Sequence, residues 1–184
     1  MKLLAISGSL RAASINSALC RAAARIAPPS LQVSVFTGLG TLPLFNPDLE
    51  SLPPPAVQAF RAAVAEASAL LIASPEYAHG VSGSIKNALD WLVSFEGTVY
   101  KPIALINTSP RAHHAYESLR EILQTMSTHI VAEASVTIPL LGTCVTEEEM
   151  IRSPEASSAM RSALNALLVH LAGAGASGPS FPLA

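Results

Sequence analysis

The chain has 184 residues, half of them hydrophobic and only 13% charged, with 11 basic and 13 acidic side chains for a net charge of -2. A chain of that length fits one domain, or one domain and a tail, and so apolar a composition excludes a disordered one. With no basic excess, a nucleic-acid binder is not expected.

In chain order, the opening MKLLAISGSL holds an apolar run of about five residues that stops at Ser7-Gly8. A secretory core needs roughly 7–15 apolar residues and a membrane span about 20, so neither is predicted, and a cytoplasmic protein is. Residues 2–7 read instead as a first strand. A helix over 16–26 follows, with Ser14 as its N-cap and Pro28-Pro29 beyond its end. Residues 31–36 (LQVSVF) alternate as a strand near a sheet edge does. The prolines Pro53, Pro54 and Pro55 precede a second helix at about 56–67. Residues 69–74 (ALLIAS) form a third strand, Ser82 or Ser84 caps a third helix running through Trp91, and 102–108 (PIALINT) form a fourth strand. A helix over 113–127, a fifth strand over 130–138 and a helix over 154–172 with Pro154 in its first turn complete the pattern. Residues 173–184 are small and turn-rich, a flexible tail after a single domain of 1–172. Cys20 and Cys144 have neither CxxC nor zinc-ligand spacing and are expected to be reduced and buried. Continuous apolar strands indicate burial on both faces, and strand–helix alternation gives right-handed crossovers. Together they predict a doubly wound α/β three-layer sandwich with a five-stranded parallel sheet.

Ligands of such sheets bind beyond the carboxyl ends of the strands, where the winding reverses. That rule selects the loops after the first, third and fourth strands. The first, Ser7 to Asn16, gives three hydroxyls, Gly8 and Arg11 immediately before a helix start, where free N–H groups and the macrodipole attract anions. Arg11 adds a fork suited to phosphate, and Ser9, Ser14 and Asn16 add donors. GxGxxG and GxxxxGK[ST] are both missing, which excludes the dinucleotide Rossmann and Walker sites. The second loop, Ser74 to Ser84, offers backbone N–H groups and the face of Tyr77 for stacking. Its Glu76, a lone carboxylate, is expected to matter through its backbone, and His79 to be a loop or interface histidine. Lys86, Asn87, Asp90 and Trp91 are expected to fix the third helix against the sheet or a neighbouring subunit. The third loop, Asn107 to His114, adds donors on the same rim. Its adjacent histidines, His113 and His114, are expected to point to different helix faces, so no metal site is predicted.

Gly8-Ser9-Leu10-Arg11 with Ser14 and Asn16, and Pro75-Glu76-Tyr77 with Gly83 and Lys86-Asn87-Ala88-Leu89-Asp90-Trp91, resemble the NADPH-dependent FMN reductases, relatives of chromate, quinone and azo-dye reductases. The resemblance covers roughly residues 2–140 and implies a flavodoxin-like fold of strand order 2-1-3-4-5. It implies that Ser9, Arg11, Ser14, Ile15 and Asn16 hold the FMN phosphate. It further implies that Pro75, Glu76, Tyr77 and Gly80 line the ribityl chain and isoalloxazine, with Ser109 and Arg111 beside the pyrimidine. Two departures stand out: Ala78 replaces the family's usual Asn, and Ser82-Gly83 its usual Pro-Gly.

The same resemblance implies an enzyme that passes hydride from NADPH through bound FMN to a quinone, a free flavin, an azo compound or a metal oxyanion. No side chain is named as catalytic, because flavin N5 carries the chemistry. A homodimer or homotetramer built through the third and fourth helices is implied too, the run Trp91-Leu92-Val93 with Phe95 being apolar enough to serve. The alternative is a non-catalytic electron carrier like flavodoxin, which near-neutral charge disfavours. A phosphate-using hydrolase, the remoter reading, lacks a Walker lysine and a nucleophile elbow.

Overall fold

The computed structural model describes residues 1–140 and 144–176. Five strands, β1 (Lys2–Ser7), β2 (Gln32–Phe36), β3 (Ala69–Ala73), β6 (Pro102–Ile106) and β7 (His129–Ile130), form one parallel sheet. Its order is β2-β1-β3-β6-β7, the expected 2-1-3-4-5 winding, which reverses between β1 and β3. A two-residue-strand hairpin, β4 (Glu76–Tyr77) with β5 (Gly80–Val81), stands beyond the end of β3.

Alternation along each strand divides the core into two layers. Leu3, Ala5, Leu71, Ala73, Ala104 and Ile106 face one side. There they meet Leu19 and Cys20 of α1 (Ile15–Ile26), Met150 of α5 (Glu147–Arg152) and Leu164 of α6 (Pro154–Ala176). Leu4, Ile6, Leu70, Ile72, Ile103 and Leu105 face the other. They pack on Phe60 of α2 (Pro55–Glu66), Leu89 of α3 (Gly83–Asp90) and Leu119 of α4 (His113–Thr125). Burial pushes the Cys20 thiol up to about 12, and both cysteines are free and buried. Among the described residues no helix is long and apolar enough to cross a membrane.

Four expectations need correction. The fifth strand pairs only over His129–Ile130. A 3-10 turn at Ala132–Ala134 then lifts the chain off the sheet, until Thr137 bridges to Asn107. The Ala-Glu-Ala segment lacks the β-branched residues that hold a strand flat. Helix α5 was not expected, although its capping box, Thr146 with Glu149, is written in the sequence. Helix α6 runs to Ala176, beyond the expected end at 172; residues 177–184 of the expected tail lie outside the described residues. Trp91 and Leu92 are fully buried core, and of the run proposed for an interface Val93 is the residue that stands exposed.

Candidate active site

The first loop leaves β1 through Gly8, whose N–H donates to the Ala73 carbonyl at 2.8 Å and so stitches the ends of β1 and β3 together. A Cβ at this position would lie 2.3 Å from Ser74 Oγ, so only glycine allows the approach. The hydroxyls of Ser82 and Ser84 donate to the Gly8 carbonyl, tying the start of α3 to the same point. Helix α1 then begins at Ile15. Ser14 Oγ accepts from Ser17 N at 3.2 Å, and among the described residues the N–H groups of Ile15 and Asn16 have no intrachain partner. Those two donors, with the Ser14 hydroxyl proton, are what a helix start offers to an anion. Asn16 is buried, and its Oδ1 accepts from Thr108 Oγ1 at 3.0 Å, which fixes the first loop to the third and leaves its amide N–H groups to the cavity.

The second loop closes as a hairpin in which Ala78 and His79 both adopt positive φ, 49° and 58°. Left-handed backbone at both central residues is the geometry of a type I′ turn, whose twist suits two paired strands. Glu76 Oε2 accepts from Ala115 N at 2.9 Å. This bond caps α4, whose own N-cap residue, Ala112, has no side chain able to do so. The expectation that Glu76 acts through its backbone is therefore corrected: its carboxylate joins the second loop to the third.

These ties gather the loops around one cleft of about 360 Å³, lined by Ser9, Arg11, Ala13, Ser14, Ile15, Asn16, Ser74, Pro75, Glu76, Tyr77, Thr108, Ser109, Arg111 and Ala112. Ten of the eleven residues singled out from sequence meet here; Gly80, which pairs with Tyr77 in the hairpin, stands outside the lining. Ala13, Ser74, Thr108 and Ala112 were read as parts of their loops without being singled out. Position beyond a strand end was the available signal. Among the described residues neither Arg11 nor Arg111 takes part in an ion pair, and the one carboxylate of the lining is turned to α4. The cleft is thus cationic, with a helix start at one end and the half-exposed ring of Tyr77 at the other. Two clefts of about 510 and 480 Å³ flank the first loop, and Arg11 borders both.

Two further expectations change. His113 and His114 do not diverge: their ring centroids lie 4.0 Å apart, and His79 stacks on His114 at 4.4 Å. Asn87 and Trp91 hold the loop after β2 rather than a neighbouring subunit. The Asn87 amide and the Trp91 indole both donate to the Pro43 carbonyl, at 3.0 and 2.8 Å, and Asn87 Oδ1 accepts from Phe45 N. Lys86 and Asp90 pair with each other along the helix.

Known proteins resemble this chain. The chain is 36% identical over 147 residues to an NAD(P)H-dependent FMN reductase of Pseudomonas aeruginosa, covering 75% of this chain and 77% of that one. It is 44% identical over 115 residues to an NADPH:quinone oxidoreductase of Arabidopsis thaliana, spanning 59% of this chain and 58% of the plant protein. Among solved structures, FerB of Paracoccus denitrificans, a flavoenzyme NAD(P)H:(acceptor) oxidoreductase, superposes with a TM-score of 0.74 at 23% identity. That superposition covers 94% of this chain and 97% of FerB and attests a common fold. The sequence profile described as NADPH-dependent FMN reductase matches residues 1–141, and the chain belongs to that family.

Proposed function

We propose that this chain holds FMN in the cleft between the first loop and the Tyr77 hairpin and works as an NAD(P)H-dependent oxidoreductase toward small acceptors, quinones foremost. One observation carries the reading: Ser9 and Arg11 border the same cavity as Tyr77, so a phosphate gripped at one end leaves a flat ring lying at the other. The residues present fit such a ligand: among the described residues the N–H groups of Ile15 and Asn16 are free and the Arg11 guanidinium is in no ion pair, and the Ser9 and Ser14 hydroxyls stand beside them. Bound FMN supplies the hydride relay between a nicotinamide and an acceptor. The protein's part is positioning. Ser9, Arg11, Ser14, Ile15 and Asn16 hold the phosphate; Pro75, Glu76 and Tyr77 shape the floor under the ring; Ser109 and Arg111 aim donors and positive charge at its pyrimidine edge. Gly80 contributes by closing the hairpin that presents Tyr77. The open side of the cleft admits the nicotinamide and the acceptor in turn.

Quinone is the favoured acceptor because a plant relative is named for it and the exposed ring of Tyr77 stands at the cleft. A second copy of the chain packs against this one in our reading. The exposed Leu44, Leu52, Val93, Val99 and Tyr100 supply the apolar surface for a homodimer or homotetramer. The two reduced cysteines favour a cytoplasmic setting.

The test is spectroscopic. Protein mixed with FMN and desalted stays yellow, bleaches anaerobically on adding NADPH, and regains its colour when a benzoquinone is added. Protein that leaves the column colourless ends the reading, and yellow protein that NADPH does not bleach is the electron carrier instead.

A further inference from the structure

Five histidines occur in the chain, and three of them meet beside the cleft, just outside the residues that line it. His79 stacks on His114 at 4.4 Å with an interplanar angle of 29°, and His114 meets His113 at 4.0 Å and 37°. The first comes from the hairpin, one residue before Gly80, the other two from the first turn of α4. All three are exposed. They lie within two residues of cavity-lining positions, Tyr77 for His79 and Ala112 for the α4 pair. Among the described residues no hydrogen bond or ion pair engages a ring nitrogen of any of them. A histidine kept for structure normally has at least one nitrogen bonded, whereas these three are exposed beside the cleft with their donors and acceptors open to solvent and ligand. The hairpin gives up backbone comfort for the arrangement. His79 sits at φ 58°, where Gly or Asn would be at ease, and that conformation brings its ring over α4. Rings stacked face to face do not converge on a common point, which suits proton exchange with a ligand better than chelation of a metal ion.

A quinone needs two electrons and two protons to become a hydroquinone. Hydride delivers both electrons and one proton, leaving a hydroquinonate oxygen that must take a second proton before release. We propose that the His79–His114–His113 stack is the donor of this second proton. An imidazolium N–H of the stack gives its proton to the hydroquinonate oxygen, the N–H bond breaks as the O–H bond forms, and the neutral imidazole is recharged from bulk water. Imidazole is the side chain whose proton is gained and lost near neutral pH, and three of them stand together here. The assignment rests on the quinone reading above. It departs from the expectation that the cofactor needs no help from a side chain.

The test compares acceptors. Ferricyanide takes single electrons and no proton, whereas benzoquinone requires the second proton. His79→Asn keeps a residue at home in left-handed backbone, and His114→Gln keeps a helix former. The double variant is expected to bind FMN and to be bleached by NADPH at the wild-type rate. It should reduce ferricyanide unchanged and lose about tenfold or more with benzoquinone, the scale of one general acid. A solvent deuterium isotope effect is expected on the benzoquinone reaction of the wild type and not on its ferricyanide reaction. His129→Gln serves as control, because His129 stacks equally well on His170, at 4.7 Å, from the far end of the sheet. A readout free of turnover is the imidazole Cε1–H region of the NMR spectrum. There 4-nitrophenolate, standing in for the hydroquinonate, should move the His79 and His114 resonances and leave those of His129 and His170. Equal losses with both acceptors, no loss with either, or a probe that moves no rim histidine each overturn the proposal. A wild type inactive toward ferricyanide as well removes the function on which it rests.

Discussion

The Glu76 carboxylate and the Ala115 backbone N–H are joined at 2.9 Å across 39 residues of sequence, and this bond sets the distance between the two loops that flank the ring end of the cleft. Loss of an N-terminal cap costs about 1 kcal/mol. Glu76→Ala is therefore expected to lower stability by that amount in urea titrations, and to weaken FMN binding because Tyr77 and Arg111 no longer share a fixed frame. Glu76→Gln retains an oxygen that can accept and should lose less than half as much. A Glu76→Ala protein that melts and binds like the wild type would show that the hairpin stands without α4.

Arg11 should act on the phosphate alone. A charge-assisted hydrogen bond is worth about 1.5–3 kcal/mol, or about 10–100-fold in affinity. Arg11→Ala is expected to raise the FMN dissociation constant by that factor while leaving riboflavin, which has no phosphate, bound as weakly as before. Fluorescence quenching of the two flavins measures both. Equal weakening of the two would place Arg11 at the ring rather than at the phosphate.

The left-handed turn at Ala78 and His79 is a point where stability can be gained. Left-handed backbone costs an L-residue with a Cβ roughly 1–2 kcal/mol, less for Asn, whose short polar side chain bonds locally. Ala78→Asn is expected to raise the melting temperature by about 2–4 °C, the shift that about 1 kcal/mol gives in a domain of this size. No change in melting would mean that the neighbouring strands already pay nothing for the turn.

Gly8 presents the reverse case. Its added Cβ would stand 2.3 Å from Ser74 Oγ and 2.8 Å from Ser74 Cβ. Gly8→Ala is expected to cost about 1–3 kcal/mol, the range for overpacking, and Ser74→Gly in the same chain should recover most of it. Urea titration of the single and double variants reads the coupling; a double variant no better than Gly8→Ala would move the clash elsewhere.

How much of this was legible follows from what each feature depends on. The sheet was, because β1, β3 and β6 are apolar on both faces and announce burial without any partner being known. The first loop was as well, because Gly8, Arg11 and Ser14 act through local chemistry at a helix start. What stayed hidden were long-range pairings between short-range ambiguities. Glu-Tyr-Ala-His-Gly-Val lacks the Asn-Gly that marks a two-residue hairpin, so neither β4 nor the aim of His79 could be read. Nothing in the spacing of Asn87 and Trp91 tells that both reach Pro43. Adjacent histidines on an ideal helix diverge by about 100°, yet at the first turn of α4, with His79 stacked against them, their rings come together.

Helix α5 holds two carboxyls whose ionised forms the fold favours. The Thr146 and Val145 backbone N–H groups donate to Glu149 Oε2 at 2.9 and 3.0 Å, and Thr146 Oγ1 accepts from Glu149 N. Hydrogen bonds from Thr146, then from Val145, hold the Glu149 carboxyl below its ordinary 4.5. Arg25, first by hydrogen bonding and then by its charge, does the same for Glu148. A lowered folded value means that the stabilisation is complete above about pH 4.5 and is lost as pH falls through the lowered values. Protonation there weakens the carboxylate half of the capping box and the Arg25–Glu148 pair, while Glu147 still holds Arg21 and Arg25 of α1 at 3.1 Å. The cleft of about 510 Å³ between Thr146–Glu148 and Arg11–Ile15 makes α5 a neighbour of the first loop, so the loosening reaches the phosphate end of the site. Amide protection factors in α5 are expected to fall as pH drops below about 4.5 while those of β1 and β3 hold, and FMN to dissociate over the same interval before global unfolding. Arg25→Ala should leave the Glu149 part of the change and remove the Glu148 part. Protection in α5 that follows the central strands at every pH would show that the helix opens only with the whole domain.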